Sequence, residues 1–290
     1  MYIGIDHGTT AIRFASPEGN YKISRSEAVN FRHTDLKKLF GDEEIEGIAI
    51  CYSMGDGISS VTSIEKVKNR GIITREGAGE HIGGGTKVFD EVKKSGIPAA
   101  VIPGIHRGSP TDPRFKVYSH QTSPEKIGIA YEVCRDLGGD VVVCDCSSNT
   151  VTVLVQDGKI VGALDACIFA PGMVHGALDV DAIRRIDCGE CTANEAFQRA
   201  GVSFSIPPEV QADALAMFAA MECGAMLVLN SGAKVAIAGS LAHEISGKVQ
   251  HILGRQCSIY NEWCASHGLS KIAEDVYSGK KDILGISVDI

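Results

Sequence analysis

The sequence lacks any long block of lysine and arginine. Its 28 basic residues are scattered along the chain and outnumbered by 36 acidic ones, which gives a formal net charge of −8. Nucleic acids and anionic membrane surfaces attract clustered positive charge, and this chain offers no such cluster. We therefore expect neither nucleic acid nor membrane as a partner.

Targeting and membrane-spanning signals are scarce as well. Met1 leads directly into an apolar strand, without the basic segment and apolar stretch of a signal peptide. The least charged segment, 214–229, is interrupted by Glu222 and is short for a bilayer span. Ten cysteines in 290 residues are too sparse for a disulfide scaffold and should be reduced. A cytoplasmic protein is expected.

The sequence does contain one short pattern twice. Residues 3–14 and 142–153, offset by 139 positions, each read as an apolar strand ending in aspartate, a turn of small residues and a second strand. The aspartates are Asp6 and Asp145. Two such copies predict two halves that each direct an acidic turn toward a shared cleft. The alternative is two unrelated hairpins whose aspartates cap turns.

The residue types of both turns suit phosphate and magnesium. Gly8 allows a close backbone approach, and consecutive N–H groups in a tight turn can hold an anion. Asp6 and Asp145 are candidate catalytic groups and candidate ligands of a hydrated Mg²⁺, an ion that takes oxygen ligands. The polar side chains beside them are candidate nucleotide contacts: Thr9, Thr10, Ser147, Ser148 and Asn149.

Two later segments are candidate parts of the same site. A strand predicted at 234–238 ends at Gly239 and Ser240, where a glycine would let an adenosine lie against the backbone; a plain strand-to-helix turn is the alternative. His175, in a loop between glycines, is a candidate proton-transfer group, or else a residue that ties its loop to the backbone. Arg107 is a candidate phosphate or carboxylate clamp, although a surface arginine is more common.

Other conspicuous segments carry weaker signals. The run 77–86 holds five glycines in ten residues, but its order differs from a P-loop, so we expect a lid or hinge. Cysteines form two close pairs, Cys144/Cys146 and Cys188/Cys191. Because alternate strand residues point the same way, Cys144 and Cys146 should share one strand face. A metal or cluster would need the two pairs to converge, and buried inert thiols are the alternative.

Strand and helix signals alternate along the chain, which indicates an α/β protein. A short helix is predicted at 64–69, and another from Thr86 to Lys94. Ser123-Pro124-Glu125 starts a further helix, residues 192–195 form a capping box, and a long apolar helix follows Pro207. The length suffices for two domains. We place them at 1–122 and 123–290, with the last helix packing back on the first domain.

These residues together resemble a known superfamily. Ile5-Asp6-His7-Gly8-Thr9-Thr10, the second acidic turn and the strand before Gly239-Ser240 resemble the acetate and sugar kinase/Hsp70/actin superfamily, and 119–131 resembles acetate and butyrate kinases. Over essentially the whole chain, the sequence is similar to the family called methanogenesis marker protein 12, which is found in methane-producing archaea and has no established reaction. The segments that carry this similarity are 4–14, 147–152, 165–172 and 279–286.

The resemblance implies two ribonuclease-H-like (actin-like ATPase) domains with an interdomain cleft that binds ATP and Mg²⁺. In that arrangement Asp6 would bind hydrated metal and residues 8–10 would hold phosphates. Asp145 would face the γ-phosphate, and Gly239 would lie near adenosine. The superfamily usually has glycines after its second aspartate, whereas this chain has Cys146 to Asn149. Side-chain donors would there replace backbone donors.

Three functions are compatible with this site. The first is an ATPase or ATP-dependent phosphotransferase that acts on a small acid. The second is a nucleotide-gated assembly factor for a methanogenesis protein, with negligible turnover. The third is an ATP-driven iron–sulfur activator, in which Cys188 and Cys191 from both subunits of a homodimer would ligate a cluster.

Overall fold

The structure, a computed structural model, describes residues 1–41, 43–51, 56–71 and 83–290. Residues 77–82 of the glycine-rich run lie outside these ranges, so the predicted lid is only described from residue 83 onward. The predicted turn after the strand at 45–51 also lies partly outside them, at residues 53–55.

The strands, in chain order, are β1 (Tyr2–His7), β2 (Ala11–Ser16), β3 (Gly19–Ser24), β4 (Gly47–Cys51), β5 (Val61–Ser63), β6 (Ala99–Ile102), β7 (Ile105–His106), β8 (His120–Thr122), β9 (Val141–Cys146), β10 (Thr150–Gln156), β11 (Lys159–Leu164), β12 (Lys234–Ala238), β13 (Cys257–Ile259), β14 (Asp282–Ile283) and β15 (Ile286–Asp289). The helices are α1 (Arg25–Ala28), α2 (Asp35–Phe40), α3 (Gly84–Ser95), α4 (Glu125–Leu137), α5 (Val180–Asp187), α6 (Ala193–Phe197), α7 (Val202–Ser205), α8 (Pro208–Leu227), α9 (Ala242–Leu253) and α10 (Cys264–Tyr277). This mixture confirms the α/β class.

The chain divides into two compact units. The first comprises Met1–Arg135 together with Trp263–Ile290, and the second comprises Asp136–Glu262. The main sheet of the first unit has the strand order β14-β15-β5-β6-β4-β1-β2-β3. The sheet of the second unit has the order β11-β10-β9-β12-β13.

Five strands of the first sheet have the same topology as the five strands of the second. In the first unit, β1 pairs antiparallel with β2 and parallel with β4, β2 pairs antiparallel with β3, and β4 pairs parallel with β6. In the second unit, β9 pairs antiparallel with β10 and parallel with β12, β10 pairs antiparallel with β11, and β12 pairs parallel with β13. The sequence repeat therefore corresponds to a repeated strand–turn–strand within the five strands that the sheets have in common.

The division at residue 122 that the sequence suggested differs from these units, because α4 and the C-terminal segment both belong to the first. A Cβ at Gly4, in the middle of β1, would overlap the Ser266 carbonyl oxygen of α10. A Cβ at Gly268 would likewise overlap the Gly128 carbonyl oxygen of α4. Glycines on both sides thus let α10 pack closely on β1 and α4.

Several predicted elements differ in detail. The short helix predicted at 64–69 is absent: residues 64–66 form a turn, and a 3₁₀ turn follows at Asn69–Gly71. Helix α3 begins at Gly84, before the predicted start at Thr86. A Cβ at Gly84 would overlap the Arg25 carbonyl oxygen of α1, so this glycine serves helix packing. The capping box at Thr192 and Glu195 is present.

Helix α8 is longer than the apolar segment identified from the sequence, because Pro208 begins it. Within the described residues, it is the helix whose length and apolar composition would allow it to cross a membrane. Its Leu215, Ala219 and Met226 are nevertheless buried, and the helix lies against β9 and β10.

Candidate functional site

The first acidic turn lies at the end of β1. Asp6 is buried and stands opposite Arg13 of β2 in the antiparallel register. An Arg13 Nη1 lies 3.6 Å from Asp6 Oδ2. Arg13 is itself buried, although a charged residue is rarely fully buried unless it is paired. A lone arginine within the apolar strand Ala11–Ser16 was the sequence signal for this pairing, which the sequence-based interpretation missed.

The absence of a side chain at Gly8 leaves room for the Arg13 guanidinium group. A Cβ at Gly8 would lie 2.6 Å from Arg13 Nη1 and 3.0 Å from the Ala11 carbonyl oxygen. Arg25, at the start of α1, donates from Nε to the Gly8 carbonyl oxygen over 3.0 Å. Thr9 and Thr10 are exposed. The turn therefore presents hydroxyl groups beside two guanidinium groups, which is a suitable environment for phosphate.

Further titratable groups surround Asp6 within the first unit. The Cys51 thiol at the end of β4 lies 3.8 Å from Asp6 Oδ1. Burial raises the pKa of Cys51, and the carboxylates of Asp6 and Glu125 raise it further. Burial and the charge of Arg25 lower the pKa of His7 to about 3, so its imidazole is neutral at physiological pH.

Glu125 and Lys126, at the start of α4, contribute a close ion pair to the same region. Lys126 is buried, and its Nζ lies 3.1 Å from Glu125 Oε1. Burial alone would raise the pKa of Glu125, but the charge of Lys126 and the hydroxyl of Ser123 lower it below its ordinary value. From the sequence, these residues indicated only a helix start, and nothing in their local pattern distinguishes a buried lysine from an exposed one.

The second acidic turn lies at the end of β9. Asp145 is buried, and its Oδ2 accepts a hydrogen bond from Ser147 Oγ over 3.3 Å. Gly239 follows the neighbouring parallel strand β12, in which Ala238 is the register partner of Asp145. Gly239 has a φ of 100°, and a Cβ there would overlap Asp145 Oδ1. The structure thus brings two sequence-predicted site residues into contact. Ser240 next to Gly239 is exposed.

The turn 147–149 is fastened to the loop that contains His175. The Ser148 carbonyl oxygen accepts hydrogen bonds from the backbone N–H groups of Val174 and His175, each over 3.0 Å. The His175 Nδ1 is hydrogen-bonded to Asn149 Oδ1. The imidazole stacks on Phe197, with ring centroids 4.7 Å apart. His175 is buried, and its side chain links this loop to the turn.

Glu222 of α8 is a further buried carboxyl group. It accepts hydrogen bonds from Thr152 Oγ1 over 2.7 Å and from the Ala170 N–H over 3.1 Å. Burial raises the pKa of Glu222 well above its ordinary value, and the nearby Cys144 adds to this shift. Glu222 therefore ties α8 to β10 and to the segment before the His175 loop. Its position inside an apolar run was the sequence signal for such a buried role.

The cysteine pairs behave differently. Cys144 and Cys146 are both buried, and their Sγ atoms lie 3.5 Å apart, as expected for one strand face. Cys188 is exposed and its thiol donates to the Arg185 carbonyl oxygen. Among the residues that the structure describes, no group of three or more histidine, cysteine or acidic side chains is arranged to hold a metal ion.

Arg107, the candidate phosphate or carboxylate clamp, donates hydrogen bonds to the backbone carbonyl oxygens of Lys116 and Val117.

Each unit thus contains one acidic turn with its own set of predicted site residues. The first holds Asp6, Gly8, Thr9 and Thr10, and the second holds Asp145, Ser147, Ser148, Asn149, His175, Gly239 and Ser240. Carboxylates at strand ends, beside hydroxyl groups and arginines, can hold a hydrated cation and oxyanions.

Solved structures identify the class of fold. The chain is similar to a propionate kinase from Francisella tularensis, with a TM-score of 0.57 and 11% identity over 92% of this chain and 91% of the kinase. It is similar to Porphyromonas gingivalis acetate kinase, with a TM-score of 0.53 and 12% identity over 90% of both chains. The chain therefore has the α/β fold of these kinases, which have two ribonuclease-H-like domains.

Sequence relatives then identify the family. The chain is 45% identical to the UPF0285 protein of Methanosarcina mazei, over 99% of both chains. It is 41% identical to the UPF0285 protein of Methanocaldococcus jannaschii, over 99% of this chain and 98% of that relative. The chain therefore belongs to the UPF0285 family, whose members here come from methanogenic archaea. No protein-family model matches it.

Proposed function

We propose that this protein binds Mg²⁺–ATP and acts as an ATPase or a phosphotransferase with a small carboxylic acid as acceptor. One observation carries the proposal: five strands of each sheet have the same order, and the middle strand of each five has a buried aspartate as its last residue but one, before a turn of small polar residues. The fold neighbours named acetate kinase and propionate kinase support a small acid as acceptor.

Each acidic turn has a group that suits a hydrated magnesium ion. Asp6 in the first unit and Asp145 in the second each offer carboxylate oxygens, which Mg²⁺ accepts through its retained waters. When bound, the ion would neutralise charge on the phosphates. The protein's own part is positioning and charge stabilisation: residues 8–10 and 147–149 bind phosphate oxygens, and Arg13 keeps the Asp6 carboxylate oriented.

The test is calorimetric titration with ATP, ADP and MgCl₂, followed by a phosphate-release assay across short-chain carboxylic acids. We expect Asp6→Asn and Asp145→Asn each to lower turnover by about 100-fold or more, since each removes one preorganised electrostatic group. Asp35→Asn, which alters a partly buried carboxylate paired with Lys38 away from both acidic turns, is the matched control and should leave turnover unchanged. Turnover that survives both site substitutions would refute the proposal.

A second function is favoured by the second turn. The Ser148 carbonyl oxygen and the Asn149 side chain are already occupied by the His175 loop. A turn fixed in this way suits a nucleotide-gated assembly factor, which binds Mg²⁺–ATP in the cytoplasm and docks a methanogenesis protein without rapid turnover. Tight nucleotide binding together with phosphate release no faster than background would favour this function over a kinase.

A further inference from the structure

One face of α8 is apolar, exposed and regularly spaced. Val210, Met217, Met221 and Val228 are 43%, 43%, 48% and 84% exposed, although each is a large apolar side chain. Ala214 and Gly224 lie between them, and a Cβ at Gly224 would meet open space. Together these residues form the α8 stripe, Val210, Ala214, Met217, Met221, Gly224 and Val228. Its spacing of 4, 3, 4, 3 and 4 residues places all six on one side of the helix.

The α8 stripe has the same order of valine, small residue and methionine when read in either direction. Val210 corresponds to Val228, Ala214 to Gly224 and Met217 to Met221, about a centre at residue 219. Two copies of a helix related by a two-fold axis and packed antiparallel place residue i of one copy against residue j of the other, and j against i. In such a pair, valine meets valine, methionine meets methionine, and small residues meet at the positions where the helices approach closely.

We propose that α8 is the dimerisation element of this protein and that the occupant of its exposed face is α8 of a second copy, packed antiparallel about residue 219. Charge at the two ends supports this pairing. Glu209 is exposed in the first turn of α8, and Arg255 donates to the Ser231 carbonyl oxygen just beyond its last turn. In the antiparallel arrangement, Glu209 of each copy lies at the end where the other copy presents Arg255.

The area of the α8 stripe limits the affinity of the proposed dimer. The helix has 20 residues and is therefore about 30 Å long, and packed helix axes lie about 8–10 Å apart. This geometry covers roughly 300 Å² per partner in projection, whereas a standard interface buries about 800 Å² per partner. Helix α7, which contacts α8, carries a further exposed apolar side chain, Phe204, which is 58% exposed. We therefore expect a micromolar dimer.

A lipid bilayer is the other apolar environment that could cover α8. The opposite face of the helix argues against it, because Glu222 there is hydrogen-bonded to Thr152 and to the Ala170 backbone. Leaving the unit would break both bonds and carry a carboxyl group into hydrocarbon, which is costly. Asp213, ion-paired with Lys248, also flanks the exposed face.

Sedimentation velocity over about 1–100 µM full-length protein tests the dimer. We expect the wild type to approach twice the chain mass of 30.7 kDa. Met221→Glu places two carboxylates at the centre of the pair and should raise the dissociation constant at least about 10-fold. Methionine and glutamate have similar helix propensities, so the helix should form. Val117→Glu, at a valine that is 71% exposed in the first unit, is the control and should dimerise like the wild type.

Cross-linking tests the pairing register independently of Met221. Residues 214 and 224 are about 15 Å apart along one helix, too far for a disulfide within the chain. Across the proposed axis they face each other, so A214C/G224C should form a covalent dimer with the thiol oxidant diamide, beyond the level seen for A214C or G224C alone. Wild type that stays monomeric throughout, or no excess cross-linking of the double variant, would overturn the proposal. So would wild type that floats with phosphatidylcholine–phosphatidylglycerol vesicles while Met221→Glu does not.

Discussion

Gly239 shows how one residue without a side chain shapes the second acidic turn. Its φ of 100° is a conformation that favours glycine, and the Cys146 carbonyl oxygen lies 2.6 Å from where a Cβ would stand. The Asp145 carboxylate occupies the remaining space. Asp145 can therefore keep its place at the strand end only while position 239 has no side chain.

Gly239→Ala should consequently displace the Asp145 carboxylate and strain the backbone. We expect a loss of about 1–3 kcal/mol in unfolding free energy, measured by urea denaturation, together with weaker Mg²⁺–ATP binding by calorimetry. Gly254→Ala is the matched control, because its φ is also positive but a Cβ there meets open space. It should lose stability by backbone strain alone and keep its nucleotide affinity. Equal nucleotide binding by both variants would contradict this role for Gly239.

At the scale of elements, the strands that carry the two aspartates were predictable because an apolar run, an aspartate and a turn of small residues form a local pattern. Helix α3 was less predictable. Its first residues belong to a glycine-rich run that indicates a loop, yet Gly84 packs against α1. The partner of Gly84 in this contact is Arg25, which lies about sixty residues earlier in the sequence. The local sequence around Gly84 therefore cannot show why a glycine is needed there.

Helix α8 is attached to its sheet through a group whose ionisation matters. The Glu222 carboxyl ionises near pH 4.5 when the chain is unfolded, whereas burial raises its pKa in the folded protein. Above pH 4.5 the folded state thus binds more protons than the unfolded state, so the unfolding free energy contributed by this group falls as pH rises toward the folded pKa.

Glu222→Gln should remove this dependence while it keeps the side-chain shape. Urea denaturation between pH 5 and pH 8 should show the wild type losing stability relative to the variant, by at most about 1.4 kcal/mol per pH unit. Glu209→Gln, on the exposed side of the same helix, should follow the wild-type curve. Parallel pH curves for the wild type and Glu222→Gln would mean that Glu222 is ionised in the folded protein.

At the scale of the whole molecule, the sequence suggested a division at residue 122, whereas the compact units divide after Arg135 and after Glu262. The helix start at Ser123 suggested a new domain, yet α4 belongs to the first unit. The reason is the contact between Gly128 and Gly268, which links segments 140 residues apart. The candidate site was also predictable only in part, because some of its residues depend on contacts that are distant in the sequence. The aspartates and glycines stood in a motif, while Arg13, Lys126 and Glu222 acquire their roles from burial.

Helix α10, near the C-terminus, packs on β1 within the first unit, and this contact can be tested. Ser270 Oγ of α10 donates to the Tyr2 carbonyl oxygen over 2.9 Å, and Gly4 leaves the space in which the Ser266 backbone lies. Gly4→Ala should push α10 away from β1 and lower the unfolding free energy by about 1–3 kcal/mol, as for other overpacked cores. Gly247→Ala, in α9 with open space around it, should instead stabilise by roughly 0.5–1 kcal/mol.

Hydrogen exchange read by mass spectrometry would locate the effect of Gly4→Ala. Because α10 packs on β1 within the first unit, the amides of β1, β4 and α10 should exchange faster in this variant. The amides of β9, β10 and β12 belong to the second unit, which has its own buried strands, and should exchange as in the wild type. Faster exchange spread evenly over both units would show that they unfold as one cooperative body, and the C-terminal helix would then stabilise the entire chain.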